Sequence, residues 1–142
     1  MTNGPSGPVF GDQVDLFSVD KNNHEERIDE TVIRELKEET GLDVEIVDVI
    51  GLRTRYDQEG GSLFVLFRAR PRSGEPAATG DEVDEVRWFS SKEVELMSDM
   101  ELLPVARNAA LAALKGEDGL SEDRAFPERG SGYRGYLVSW ER

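Results

Sequence analysis

An α/β domain is the fold class that the sequence predicts, on three observations. Apolar residues recur at helical spacing through Ile28, Val32, Ile33 and Leu36, and Gly41 stands where a left-handed cap would end that helix. Two segments rich in β-branched residues, 44–56 and 63–69, flank the turn signal Asp57-Gln58-Glu59-Gly60-Gly61, as the arms of a hairpin would. A second helical segment over 102–114 follows, with Pro104 in its first turn and Gly116 as its stop.

The remaining elements fall into place around these. Residues 1–13 are rich in Gly, Pro and polar side chains and read as a disordered or loosely attached start. Val14, Leu16 and Val19 make one short strand, and 20–26 reads as a loop. The helix runs over 29–40, supported by the i,i+4 pair Glu30 and Arg34. Residues 83–89 alternate as a half-buried strand, after which Ser90 or Ser91 caps a short helix reaching Met97. The domain proper is expected at 14–116. The tail, 117–142, carries Tyr133, Tyr136, Leu137, Val138 and Trp140, which could add an edge strand or close over a site.

Composition narrows the function classes. The 142 residues include no cysteine, which excludes a thiol nucleophile, a disulfide framework and a thiolate metal site, and suits a reducing cytoplasm. No charged-then-apolar leader opens the chain and no apolar run is long enough for a membrane span. A net charge of −13 repels the phosphate backbone, so duplex nucleic acid is not an expected partner. The only lysines are Lys21, Lys37, Lys92 and Lys115. Such a Lys-poor, acidic chain suits a halophilic cytosol, where salt screens self-repulsion; the alternative is acidity that serves solubility alone.

The chemistry is concentrated in Arg34-Glu35-Leu36-Lys37-Glu38-Glu39-Thr40-Gly41-Leu42. Residues three and four apart share a helix face, so Glu35, Glu38 and Glu39 are neighbours there. Like charges so placed repel by a few tenths of a kcal/mol, roughly, and a divalent cation reverses the sign. Mg²⁺ takes only one or two protein carboxylates and keeps water positions for substrate phosphates. Glu35 and Glu39, one turn apart, are the best pair for it. The bland reading of the same spacing is a solvated acidic face.

The segment resembles the core of the Nudix box, G-x5-E-x7-R-E-U-x-E-E-x-G-U with U a bulky apolar residue. Glu26, Arg34, Glu35, Leu36, Glu38, Glu39, Gly41 and Leu42 match. The likeness extends in outline over residues 26–115 and is specific only in 26–42. It implies a Nudix-like α/β/α sandwich around a mixed sheet. The first box glycine is replaced by Asp20, the Pro-Gly-Gly run by Ser18-Val19-Asp20, and the usual Gly-Glu by Glu25-Glu26. Glycines in such a loop permit positive φ and close backbone approach, so their loss bears on how phosphates are cradled. The family places about two strands before the box; the short, loop-like N-terminus here predicts a sheet lacking one or more of them. A bared edge would then be covered by the tail or by a second copy in a homodimer.

Family members hydrolyse a nucleoside diphosphate linked to another moiety. The resemblance therefore implies a small nucleotide derivative as partner and Mg²⁺, or Mn²⁺ in its place, as cofactor. It implies Glu35 and Glu39 as metal ligands, Glu38 completing the cluster by holding a second ion or orienting water, Arg34 paired with Glu26, with a helix-surface pair to Glu30 or Glu38 as its alternative, and Gly41 shaping the turn. A general base is expected among Asp81, Glu82, Asp84 and Glu85, with Glu82 chosen; a solvated loop charge is the alternative. His24 could contact phosphate, and Tyr56, Phe64, Trp88 or Tyr133 could stack on a base, although strand aromatics usually pack. The competing function is a catalytically degenerate module that binds a nucleotide or a protein.

Overall fold

The computed structural model describes residues 6–10, 14–19, 25–77, 86–102, 104–123 and 132–138, the first two segments as backbone only. A four-stranded sheet has the order β1-β2-β4-β3, with β1 at Ser6–Phe10, β2 at Val14–Val19, β3 at Asp43–Asp57 and β4 at Gly60–Ser73. Helix α1, Ile28–Thr40, packs on one face. Helices α2, Ser91–Leu96, and α3, Pro104–Leu114, pack on the other. The result is the α/β/α sandwich expected from the sequence.

Alternation along β4 builds the two cores. Phe67 and Ala69 face α1 and join Val32, Leu36, Leu42, Val44 and Val49. Leu66 faces the other way and joins Val94, Leu102 and Ala110. Val32 and Leu36 are fully buried, each contributing about 1.5–3 kcal/mol of transfer free energy. The end of α1 follows its sequence signal: Gly41 takes φ 76° and its N–H donates to the Lys37 carbonyl. Ser90 and Glu93 likewise cap α2 reciprocally.

The N-terminal half departs from expectation. Two strands, not fewer, precede α1, and β1 lies inside the segment read as unstructured. Its Gly7 and Pro8 fall at a register shift of an edge strand, between the pairs Ser6↔Phe17 and Val9↔Asp15. An edge or a bulge is where a strand tolerates a residue without an N–H. All three pairings of this sheet are antiparallel, so the mixed sheet is not found among the described residues. The strand expected over 83–89 is absent from 86–89, while 83–85 lie outside the described residues. Val86 and Trp88 nevertheless pack against the α1 core and Phe89 against the other. The alternation there registered burial on two sides and not a hydrogen-bonded ladder.

A bulge in β3 sets the other key contact. Ile46 pairs with Ala69 but Asp48, two residues on, pairs with Arg68, so the extra residue turns Asp48 to the α3 side. There Asp48, 4 % exposed, receives Arg68 Nε at 2.9 Å and Arg68 Nη2. Arg68 also donates to the carbonyl of Ala113 in α3. The tail returns to this edge. Gly119 N–H donates to Asp48 Oδ2 at 3.0 Å, and Leu120 and Val49 exchange both backbone hydrogen bonds at 3.0 and 2.8 Å. Gly119 lies so close to the Val49 carbonyl and the Asp48 carboxylate that a Cβ there would overlap both. Beyond it, β5, Ser121–Asp123, pairs with β6, Gly135–Leu137, in a separate two-stranded ribbon.

Candidate active site

Of the residues singled out in the sequence, Glu26 lies in the loop entering α1, Arg34 and Glu35 in its second turn, and Glu38 and Glu39 in its last. Glu26, just before the helix, accepts from Arg34 Nε at 3.0 Å and Nη2 at 2.8 Å, and from Thr31 Oγ1 at 3.0 Å. Arg34 reaches this partner because eight residues of chain turn back through the helix start, placing loop and second turn side by side. Its Nη1 lies 3.3 Å from both carboxylate oxygens of Glu38, and its Nη2 lies 3.8 Å from Glu35 Oε1. The hydrogen bond that Arg34 donates to Glu26, ahead of that to Glu38, raises the Arg34 pKa further above its ordinary value. Arg34 thus ties three box acids to one cation.

The three proposed metal ligands are placed unequally. Glu39 is buried at 8 % exposure, Glu35 keeps Oε2 buried, and the Glu38 side chain is 60 % exposed where Arg34 draws it along the helix surface. Among the described residues no group of three or more acids or histidines converges closely enough to hold an ion. The donor set still suits a hard divalent cation, since carboxylate oxygens are what Mg²⁺ selects and one or two of them suffice. The fit is therefore to a carboxylate pair completed by water and substrate, not to a ready-made cage of three.

The family assignment rests on this segment and its surroundings together. The model of the NUDIX domain matches residues 20–109, over half of the chain, and spans α1, the β3–β4 hairpin, α2 and about half of α3. The chain belongs to the Nudix family. Nudix hydrolases act generally on nucleoside diphosphates linked to a second moiety. No curated protein matches the chain.

Several Nudix features of this chain fall outside the described residues: Asp20 in place of the first box glycine, His24, and the candidate base Glu82 with its neighbours Asp81, Asp84 and Glu85. Of the candidate stacking aromatics, Phe64 packs in the α2–α3 core beneath the Arg53 guanidinium, 3.6 Å from its centroid, and Trp88 packs against the α1 core. Tyr56, at 85 % exposure, and Tyr133, at 48 %, stand open to solvent.

One residue at this end of the helix was not singled out. Asp29, 2 % exposed, accepts from Arg27 Nε at 3.0 Å and the Glu30 N–H at 2.9 Å through Oδ1, and from the Tyr136 hydroxyl at 2.7 Å through Oδ2. Its sequence signal was an ordinary first-turn acid, which the helix dipole favours anyway. Nothing local distinguishes a first-turn acid in solvent from one covered by residues over a hundred positions away. Burial and Asp29 together raise the Tyr136 pKa well above the usual phenol value.

Proposed function

We propose that this Nudix protein is a Mg²⁺-dependent hydrolase that cuts the pyrophosphate of a nucleoside diphosphate linked to another moiety. The observation that carries the proposal is the Arg34–Glu26 clamp beside Glu35, Glu38 and Glu39 on a family-matched helix. In this reading Glu35 and Glu39 hold the ion, with Mn²⁺ able to replace it. Bound there, the ion would neutralise charge developing on the pyrophosphate oxygens. Glu38, the most exposed of the three, orients the attacking water or helps to hold a second ion. Arg34 and Glu26 fix the loop against the helix, Gly41 shapes the turn after it, and Glu82, in the sequence before Val86, serves as general base. The small nucleotide derivative is the only partner the proposal needs.

A phosphate-release screen over ADP-ribose, nucleoside triphosphates and dinucleoside polyphosphates, with Mg²⁺ or Mn²⁺, tests the proposal. Metal-dependent turnover of at least one substrate class is expected. No turnover under any condition, with calorimetric binding of ADP-ribose, would instead establish the second reading, a binding module. That reading draws on the absence of a three-acid group among the described residues and on Asp20 in the glycine's place.

The acid-rich, Lys-poor composition supports a halophilic source, and the absence of cysteine fits a reducing cytoplasm. The midpoint of thermal unfolding should then rise as KCl goes from low to molar concentration, because screening relieves the repulsion of 30 acids against 17 basic residues. A midpoint indifferent to salt, or falling with it, would reject halophilic adaptation.

A further inference from the structure

We infer that the two described tail segments, 119–123 and 132–138, here called the strap, are part of the scaffold of the box, and that Tyr136, Arg134 and Asp29 are positioning residues that hold the Glu26–Arg34 clamp. The strap lies beyond the end of the family match at residue 109, so the Tyr136 and Arg134 side of this joint lies outside the matched region.

The path from strap to clamp is short. Tyr136 hydroxyl donates to Asp29 Oδ2 at 2.7 Å, and Arg134 Nη1 approaches the same oxygen at 3.5 Å. Arg134 Nε is in turn held by Glu122, 3.0 Å away, in the facing strand of the ribbon. The other oxygen of Asp29 holds Arg27 through Nε at 3.0 Å. Arg27 is doubly fixed by backbone: its N–H donates to Glu30 Oε1 at 2.9 Å and its carbonyl accepts the Thr31 N–H at 3.0 Å. The next residue toward the loop is Glu26, which holds both Arg34 and Thr31. The Tyr136 ring meets Phe67 edge-on, with centroids 5.8 Å apart and planes at 74°, so the phenol is aimed and not merely covered. At its far end the strap is tied to β3 through the Leu120–Val49 pair and the Gly119–Asp48 hydrogen bond.

A strap that only covered the core would do so best with apolar side chains. Burying a carboxylate costs several kcal/mol, roughly, unless its hydrogen bonds are directional and complete. Here that carboxylate joins strap and loop through opposite oxygens. Such a satisfied network rigidifies the groups that it connects. The strap thereby limits the arrangements open to the loop that presents Glu26, and through Arg34 the orientation of Glu35 and Glu38.

Tyr136→Phe tests this with one atom, because it keeps the ring against Phe67 and removes only the donor. Amide hydrogen exchange is expected to quicken roughly tenfold over 25–31, from the loss of one hydrogen bond to a charged group, while α3 amides stay unchanged. Arg134→Gln should quicken the same amides to a lesser degree. The kinetic arm rests on the hydrolase reading: kcat should fall about fivefold with KM within about twofold, since positioning acts on the transition state more than on ground-state binding. Unaltered exchange over 25–31, or acceleration spread equally over α3, overturns the inference whatever the kinetics show. Unchanged kcat in an active enzyme overturns the positioning role. A wild-type protein without turnover defeats the hydrolase reading alone, and the exchange result still decides the strap.

Discussion

Glu39→Gln should lower turnover by about 10²–10³-fold, the size of loss seen when one preorganised electrostatic contact to the transition state is removed. Glutamine keeps the shape of the side chain at a site only 8 % exposed but gives up the anionic oxygens a hard cation needs. The loss should fall on kcat more than on KM, and Mn²⁺ should not rescue it. Folding should survive the change. Glu39 sits in the last turn of α1, where the negative end of the helix dipole disfavours a carboxylate, so a neutral residue there is no worse electrostatically. Steady-state phosphate release together with thermal unfolding checks both halves: rate lost, midpoint kept. Turnover within about threefold of wild type, a change of only about 0.65 kcal/mol in the barrier, would remove Glu39 from the proposed ligands.

Asp48→Ala should be the most destabilising single change away from the hydrophobic cores, costing about 3–5 kcal/mol, because it leaves the Arg68 guanidinium buried without its counter-ion. The side chains of the pair are 13 % and 6 % exposed, so water cannot replace the lost partner well. The strap loses an anchor as well, since Asp48 accepts the Gly119 N–H. For a chain of this size the unfolding midpoint should drop by roughly 10–20 °C. Replacing both members by apolar residues, Asp48→Leu with Arg68→Met, should recover most of the loss, because the penalty comes from the unpaired charge and not from the missing bridge. Thermal unfolding of the two single variants and the double variant measures this directly; equal losses in all three would mean that shape, not charge, holds the site.

How far the sequence reveals such features depends on how local they are. The box helix is legible because its period, its terminal glycine and its acid spacing all lie within fifteen or so residues of one another. Its end at Gly41 follows directly, whereas the pairing of Arg34 with Glu26 is what the family resemblance implies. The hairpin is legible for the same reason, with a turn signal between two β-rich arms. Strand β1 was not, because Gly7 and Pro8 look like loop residues until an edge position with a register shift accommodates them. Residues 86–89 misled in the opposite sense: they alternate because two cores lie on either side, without any strand partner among the described residues.

By itself the sequence determined the α/β class, the carboxylate helix with its glycine cap, and the exclusion of cysteine chemistry, while the sandwich layering and the Arg34–Glu26 clamp came with the family resemblance. The first three are set by side-chain identity and by contacts within a few turns of chain. Only the tertiary structure decided that β3 bulges to bury Asp48 on Arg68, that Asp29 is covered, and that the tail binds it through Tyr136. Those contacts join residues 20 and 107 positions apart. A buried carboxylate is stable only when distant donors arrive in the right geometry, and no local pattern carries that information.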